Sequence, residues 1–84
     1  MMFNKKGYKV KLLGRAGIMY QEGDKSLIID SELLPGAKYD IVIYKDSIKQ
    51  WQPPHTEDKI SEDERTRIKN NVMTSLRRMR VDWQ

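Results

Sequence analysis

The sequence predicts an α+β domain, and three observations carry that prediction. Short apolar-rich runs of strand character, one of them strictly alternating, fill residues 8–44, with turn signals between them. From residue 61 the spacing switches to that of a helix, and a stretch holding two prolines, 53–60, separates the two patterns. An 84-residue chain is one domain, 1–84. It reads as a strand-rich part (6–52), a linker (53–60), a helix (61–79) and a short tail (80–84).

Tyr8, Val10 and Leu12 alternate with Lys9 and Lys11, the period of a half-buried strand. Gly14-Arg15-Ala16-Gly17 follows as a turn whose two glycines permit positive φ. A second strand over 18–21 leads to Gly23-Asp24, a two-residue hairpin turn of the glycine-first kind. A third strand over 26–30 puts Leu27 and Ile29 on one face. Pro35-Gly36 suits the central positions of a type II turn. The fourth strand, 38–44, contains Ile41-Val42-Ile43, a run expected in a central strand covered on both sides. The expected sheet is therefore an antiparallel meander of about four short strands.

Ser61 and Glu64 stand at capping-box spacing, with Ile60 before them as a hydrophobic staple. Ile68, Val72, Leu76 and Met79 then make one stripe of a helix expected from Glu62 to about Arg78, packed on one face of the sheet. Val81 and Trp83 alternate at the end as a short edge strand.

The net charge of +4 raises the question of nucleic acid. Arg65, Arg67, Lys69, Arg77, Arg78 and Arg80 are six cations with no acid between Glu64 and Asp82. At about 100° per residue they ring the polar surface instead of gathering on one face. Acids crowd the other end, at Glu57, Asp58, Glu62, Asp63 and Glu64, as the helix dipole favours. Generic nucleic-acid binding is thus the weaker reading, with Lys5, Lys6, Lys9 and Lys11 as its remaining support.

Catalysis finds little to build on. No cysteine offers a thiolate, and the single histidine, His55, would need Glu57 and Asp58 to complete a metal site. Ser47, His55 and Asp46 could be drawn as a triad, but triads are geometric and sequence neighbours rarely meet that geometry. The Gly14–Gly17 turn lacks the lysine of a phosphate-binding loop. Asp30 and Glu32 share a strand face and read best as a solvated strand end. No catalytic residue, cofactor or metal is expected. With no apolar run of about 20 residues and no signal-like segment, the expected location is cytoplasmic, away from any membrane.

The stretch Asp40–His55 changes character halfway, from a strand to Trp51, Pro53, Pro54 and His55. Asp46 and Ser47 suit a turn that bonds back to local amides. Ile48 and Trp51, three apart, suit one side of a helical turn, and the prolines stiffen a polyproline-like exit. Two expectations stand side by side. Trp51 closes one end of the core, or it joins Pro53, Pro54 and His55 in an exposed spot that anchors a protein partner.

Three segments carry a family resemblance: GYKVKLLGRAGIMYQEGDKSLIIDSELL, DIVIYKDSIKQWQPP and ISEDERTRIKNNV. Together, from about Gly7 to Val81, they resemble a small family of bacterial immunity proteins of polymorphic toxin systems, with a DSI-x-x-W-x-P-P motif. The resemblance implies a non-enzymatic protein encoded beside a toxin and neutralising it in the producing cell. It points to Arg15, Asp30, Ser31, Glu32, Asp46, Ser47 and Trp51 as family features; Gln52 stands where the family pattern often has an acid. The expected partner is a cognate toxin, and the residues expected to meet it are Trp51, Pro53, Pro54, His55, Asp46, Ser47, Arg15 and Glu32. An unpaired edge strand and a small core leave homodimerisation open.

Overall fold

The computed structural model describes residues 7–36 and 38–84. The α+β class is as the sequence predicts, but the strands divide between two sheets. The first is antiparallel in the order β1-β2-β3, from β1 (Tyr8–Leu12), β2 (Ile18–Glu22) and β3 (Lys25–Ile29). The second is β4-β5-β6, from β4 (Ser31–Leu33), β5 (Ile41–Ile43) and β6 (Val81–Trp83). β4 runs antiparallel to β5, and β6 runs parallel to it. The terminal strand is thus present at a sheet edge. The central position expected for Ile41-Val42-Ile43 also holds, with all three residues buried.

Local chemistry explains most elements. The turn at Gly14-Arg15-Ala16 is a short 3-10 segment with φ of 65° at Gly14 and 108° at Gly17, closed by Leu13 N donating to Gly17 O at 2.8 Å. Glu22 and Lys25 face each other across Gly23-Asp24, with φ positive at Gly23 alone, the pattern of a type II′ hairpin turn. Gly36, in contrast, does not take the positive φ of a type II turn, so Pro35-Gly36 turns differently from the expectation.

The helix α1 (Glu62–Ser75) opens on the predicted capping box: Glu64 N donates to Ser61 Oγ at 3.1 Å, and Ser61 N donates to Glu64 Oε1 at 3.0 Å. It stops at Ser75, short of Arg78. Leu76 already has φ −103° and ψ 27°, and Met79 N bonds to Leu76 O in a turn. No cation therefore lies in the last helical turn, and the C-terminal half of the dipole argument fails. The early stop lets the chain reverse so that Arg80 reaches Asp40 and β6 lies beside β5.

Both sheets and the helix share one core. Ile18, Tyr20, Leu27 and Ile29 come from the first sheet, Ile41 and Ile43 from the second, and Ile68 and Val72 from the helix, with Leu76 at its C-cap. Ile48, Trp51 and Ile60 close it from the connection between β5 and α1. Burying a side chain of this kind contributes about 1.5–3 kcal/mol.

Candidate protein-contact surface

The corner is built from Tyr44 onward. A 3-10 turn, Lys45–Ser47, follows β5, closed by Ser47 N and Ile48 N donating to Tyr44 O and Lys45 O. Ser47 Oγ donates to Tyr44 O at 2.6 Å and accepts from Asp30 N at 2.9 Å. The predicted turn hydroxyl thus does more than cap its own turn. It holds Asp30, the single residue between β3 and β4, where the chain leaves one sheet for the other.

Trp51 is 2% exposed and packs in the core, 6.4 Å from the Tyr20 ring. The ring closes this end of the core, the first of the two expectations for it. Gln52 N donates to Ser26 O at 2.8 Å and draws the chain along the edge of β3, so the ring before it turns inward. The indole Nε1 is buried and has no hydrogen-bond partner among the described residues. The Lys25 ammonium stands 5.8 Å from the ring centroid, a cation–π arrangement at the rim of the core.

Beyond Trp51 the chain leaves the core. Pro53 and Pro54 are exposed, joined by a cis peptide, and lie in a turn instead of a polyproline-like path. His55 N returns to Gln52 O, Asp58 N to His55 O, and a bridge between Gln50 and Lys59 ties the loop at its base. The His55 side chain is 24% exposed and lies between two carboxylates: Nε2 is 3.6 Å from Asp24 Oδ2, and Nδ1 is 3.6 Å from Asp58 Oδ2. Asp58 also pairs with Lys25 at 3.1 Å. The loop is thereby fastened to the β2–β3 hairpin, with the prolines on its outside.

The triad drawn from sequence is not assembled. His55 faces Asp24 and Asp58 in place of Asp46, and the Ser47 hydroxyl is engaged with Asp30 and Tyr44. Among the described residues no group of three or more His, Cys, Asp or Glu could hold a metal ion. No helix among them is long and apolar enough to cross a membrane.

Arg15 and Glu32 form a second patch. The Gly14–Ala16 turn packs on β4, and Arg15, Glu32, Leu33, Leu34 and Pro35 line a shallow depression there. Glu32 Oε1 accepts the Tyr44 hydroxyl at 2.7 Å, and that bond raises the Tyr44 phenol above its ordinary pKa. Asp46 is exposed at the turn between the patches. A further depression joins the corner to the first sheet, lined by Ile28, Ser47, Lys49, Gln52 and Pro53 among others. Ile28 and Lys49 were missed from sequence. The signal for Ile28 was an isoleucine at an outward position of a strand whose inward residues, Leu27 and Ile29, are themselves apolar.

The helix cations are largely occupied. Arg67 pairs with Glu22 at 2.8 Å, Arg65 with Glu62 at 2.9 Å and Arg80 with Asp40 at 2.8 Å, while Lys69 lies over Trp83.

What the fold and these surfaces define is a small α+β protein with tied loops and shallow depressions, shaped to present surfaces. The chain matches the family model described as Immunity protein 74 over residues 3–83 and belongs to that family. Membership implies a protein partner and a toxin-neutralising role, in a family that is generally non-enzymatic. No curated protein and no solved structure matches the chain.

Proposed function

We propose that this chain is a non-enzymatic module that binds a cognate bacterial toxin in the cytoplasm of the producing cell and neutralises it by covering a site on it. The observation that carries the reading is family membership across residues 3–83. The surface supports it: Pro53 and Pro54 are displayed on a loop tied at its base and to the hairpin, so little ordering entropy is lost on contact. In this reading Trp51 and Ser47 position the corner from beneath. Pro53, Pro54 and His55 touch the toxin, with Asp46, Arg15 and Glu32 on the flanking surface.

The test is a rescue experiment with the neighbouring open reading frame. It is expressed in a bacterial host alone, with this chain, and with the Pro53→Ala/Pro54→Ala/His55→Ala variant. Killing abolished by the wild-type chain, and restored at least in part by the variant, is expected. A neighbour that kills equally with and without the chain, or is harmless although expressed, overturns the reading.

A further inference from the structure

The outer face of the first sheet takes no part in the core. Its strands are in register, so one cross-strand row is Lys9, Gln21 and Ser26, and the next is Lys11, Met19 and Ile28. The alternate positions, Tyr8, Val10, Ile18, Tyr20, Leu27 and Ile29, point into the core or pack against it. On the outer face Lys9 and Lys11 are exposed, while Met19 and Ile28 are partly exposed. The face continues past β3 into the depression lined by Ile28, Lys49 and Pro53.

Its strand positions carry cations without acids beside them. Among the described residues the strand positions on this face include no carboxylate, and Lys9, Lys11 and Lys49 take part in no ion pair. Elsewhere Lys25, Arg65, Arg67 and Arg80 are paired, while Arg15, Arg77 and Arg78, like these lysines, are in no ion pair among the described residues. Two residues apart on one strand face, Lys9 and Lys11 stand about 7 Å from each other. The residues opposite them, Gln21 and Met19, do nothing to relieve that repulsion. An apolar pair beside unpaired cations is what an interface core with a charged rim requires.

From this we propose that the outer face of β1-β2-β3, with Lys49 at its border, docks an acidic surface of the partner toxin. The inference rests on the immunity reading and names the partner's chemistry. Carboxylates on the toxin would relieve the Lys9–Lys11 repulsion and steer the encounter. Met19 and Ile28 would be covered at the centre. A second copy of the chain fits poorly, because like faces repel. Nucleic acid fits less well than an acidic protein, because among the described residues the strand positions of this face hold no aromatic ring for bases to stack on.

The probe is the neighbouring toxin from the rescue experiment, purified in a catalytically inactive form and titrated with this chain at low and at physiological salt. Lys9→Glu/Lys11→Glu should weaken binding about tenfold or more, chiefly through a slower association rate whose salt dependence is reduced. Ile28→Glu should weaken it mainly through faster dissociation. Arg77→Glu/Arg78→Glu, beyond the helix, serves as the control and should leave binding unchanged. Thermal unfolding of each variant separates lost binding from lost folding. Wild-type binding with unchanged affinity in the folded Lys9→Glu/Lys11→Glu variant overturns this face while leaving the immunity reading intact. A toxin that the wild type neither binds nor neutralises overturns both. A 20-mer oligonucleotide that binds the wild type more tightly than the toxin does, and is lost in the double variant, assigns the face to phosphate instead and overturns the proposal.

Discussion

The Asp40 carboxylate holds Arg80 by its side chain and its main chain together: Oδ1 accepts from Nη2 at 2.8 Å, and Oδ2 accepts from the backbone N at 2.8 Å. Asp40 N in turn donates to Arg80 O at 2.8 Å. These bonds join residues 40 positions apart, just where β5 and β6 begin side by side. The parallel pairing of the terminal strand starts at this clasp.

Side-chain and backbone bonds from Arg80 hold the Asp40 carboxyl at about 2, below the ordinary carboxylate value of about 4. With the folded value depressed, the contribution is complete above about pH 4 and lost as pH falls toward 2. Asp40→Asn should lower the melting temperature at pH 6. The gap from wild type should close between pH 4 and 2. A gap independent of pH over that range would show that the ion pair contributes nothing to acid stability.

Tyr20 is buried, and its hydroxyl donates to Glu22 Oε1 at 2.7 Å while accepting from Asn71 Nδ2 at 2.8 Å. Burial is the main cause that raises its pKa, with Glu22 adding to it. The raised value means stability is complete below about pH 10 and declines as pH rises further. Tyr20→Phe leaves the Asn71 amide without this acceptor and should cost about 1–2 kcal/mol in urea unfolding at pH 7. The variant should also lose less stability than wild type between pH 9 and 11; equal losses would count against the linkage.

Trp51→Ala should cost about 3–5 kcal/mol, most of the stability of a domain this small. It therefore reports on folding and says nothing about binding. Trp51→Phe discards the unpartnered indole N–H together with part of the ring, effects of opposite sign, and should cost under about 2 kcal/mol. Circular dichroism during urea titration distinguishes the two; equal losses would show that the ring's size is not what matters.

At Gly17 an added Cβ would lie 2.7 Å from Ile29 O, at a φ of 108°. The close approach is to backbone, which cannot swing aside, so Gly17→Ala should lose about 1–3 kcal/mol or more. Gly23→Ala also meets a positive φ, of 63°, but has open space around it, and should lose less. Urea midpoints of the two variants compare them directly, and equal losses would remove the contact argument.

Removing the helix cap tests a feature read directly from sequence. Ser61→Ala should cost about 1 kcal/mol, because Glu64 N loses its acceptor at the first turn. Helical signal and melting temperature should fall together; an unchanged midpoint would show that tertiary packing alone holds the helix start.

How far the sequence could be read followed the range of the interactions. The capping box, the Gly23-Asp24 hairpin and the inward faces of β1 and β3 depend on neighbours a few residues away, and all are present. The division into two sheets was hidden. Leu27, Ile29 and Ser31 are all buried at alternate positions, so residues 27–31 keep one period through the break at Asp30. What changes is the ladder partner, and Ser47 Oγ and the Tyr44 main chain, 14 to 17 residues away, hold that junction. The helix end was hidden for a similar reason: Leu76 and Met79 keep the helical stripe, while the strand pairing at Arg80 draws the chain out of the helix.

The candidate surface divides in the same way. The residues of the corner, its turn at Ser47 and its prolines could be named from sequence, as could the family resemblance. By itself the sequence determined the α+β class, the helix start, the hairpin and the central place of Ile41-Val42-Ile43, because periodicity and turn chemistry act within a few residues. Tertiary structure alone decided that Trp51 turns inward and that Lys9, Lys11, Met19 and Ile28 share an uncovered face. Burial and charge pairing depend on what the folded chain brings alongside, and for Trp51 that is β3, from the other side of the sheet junction.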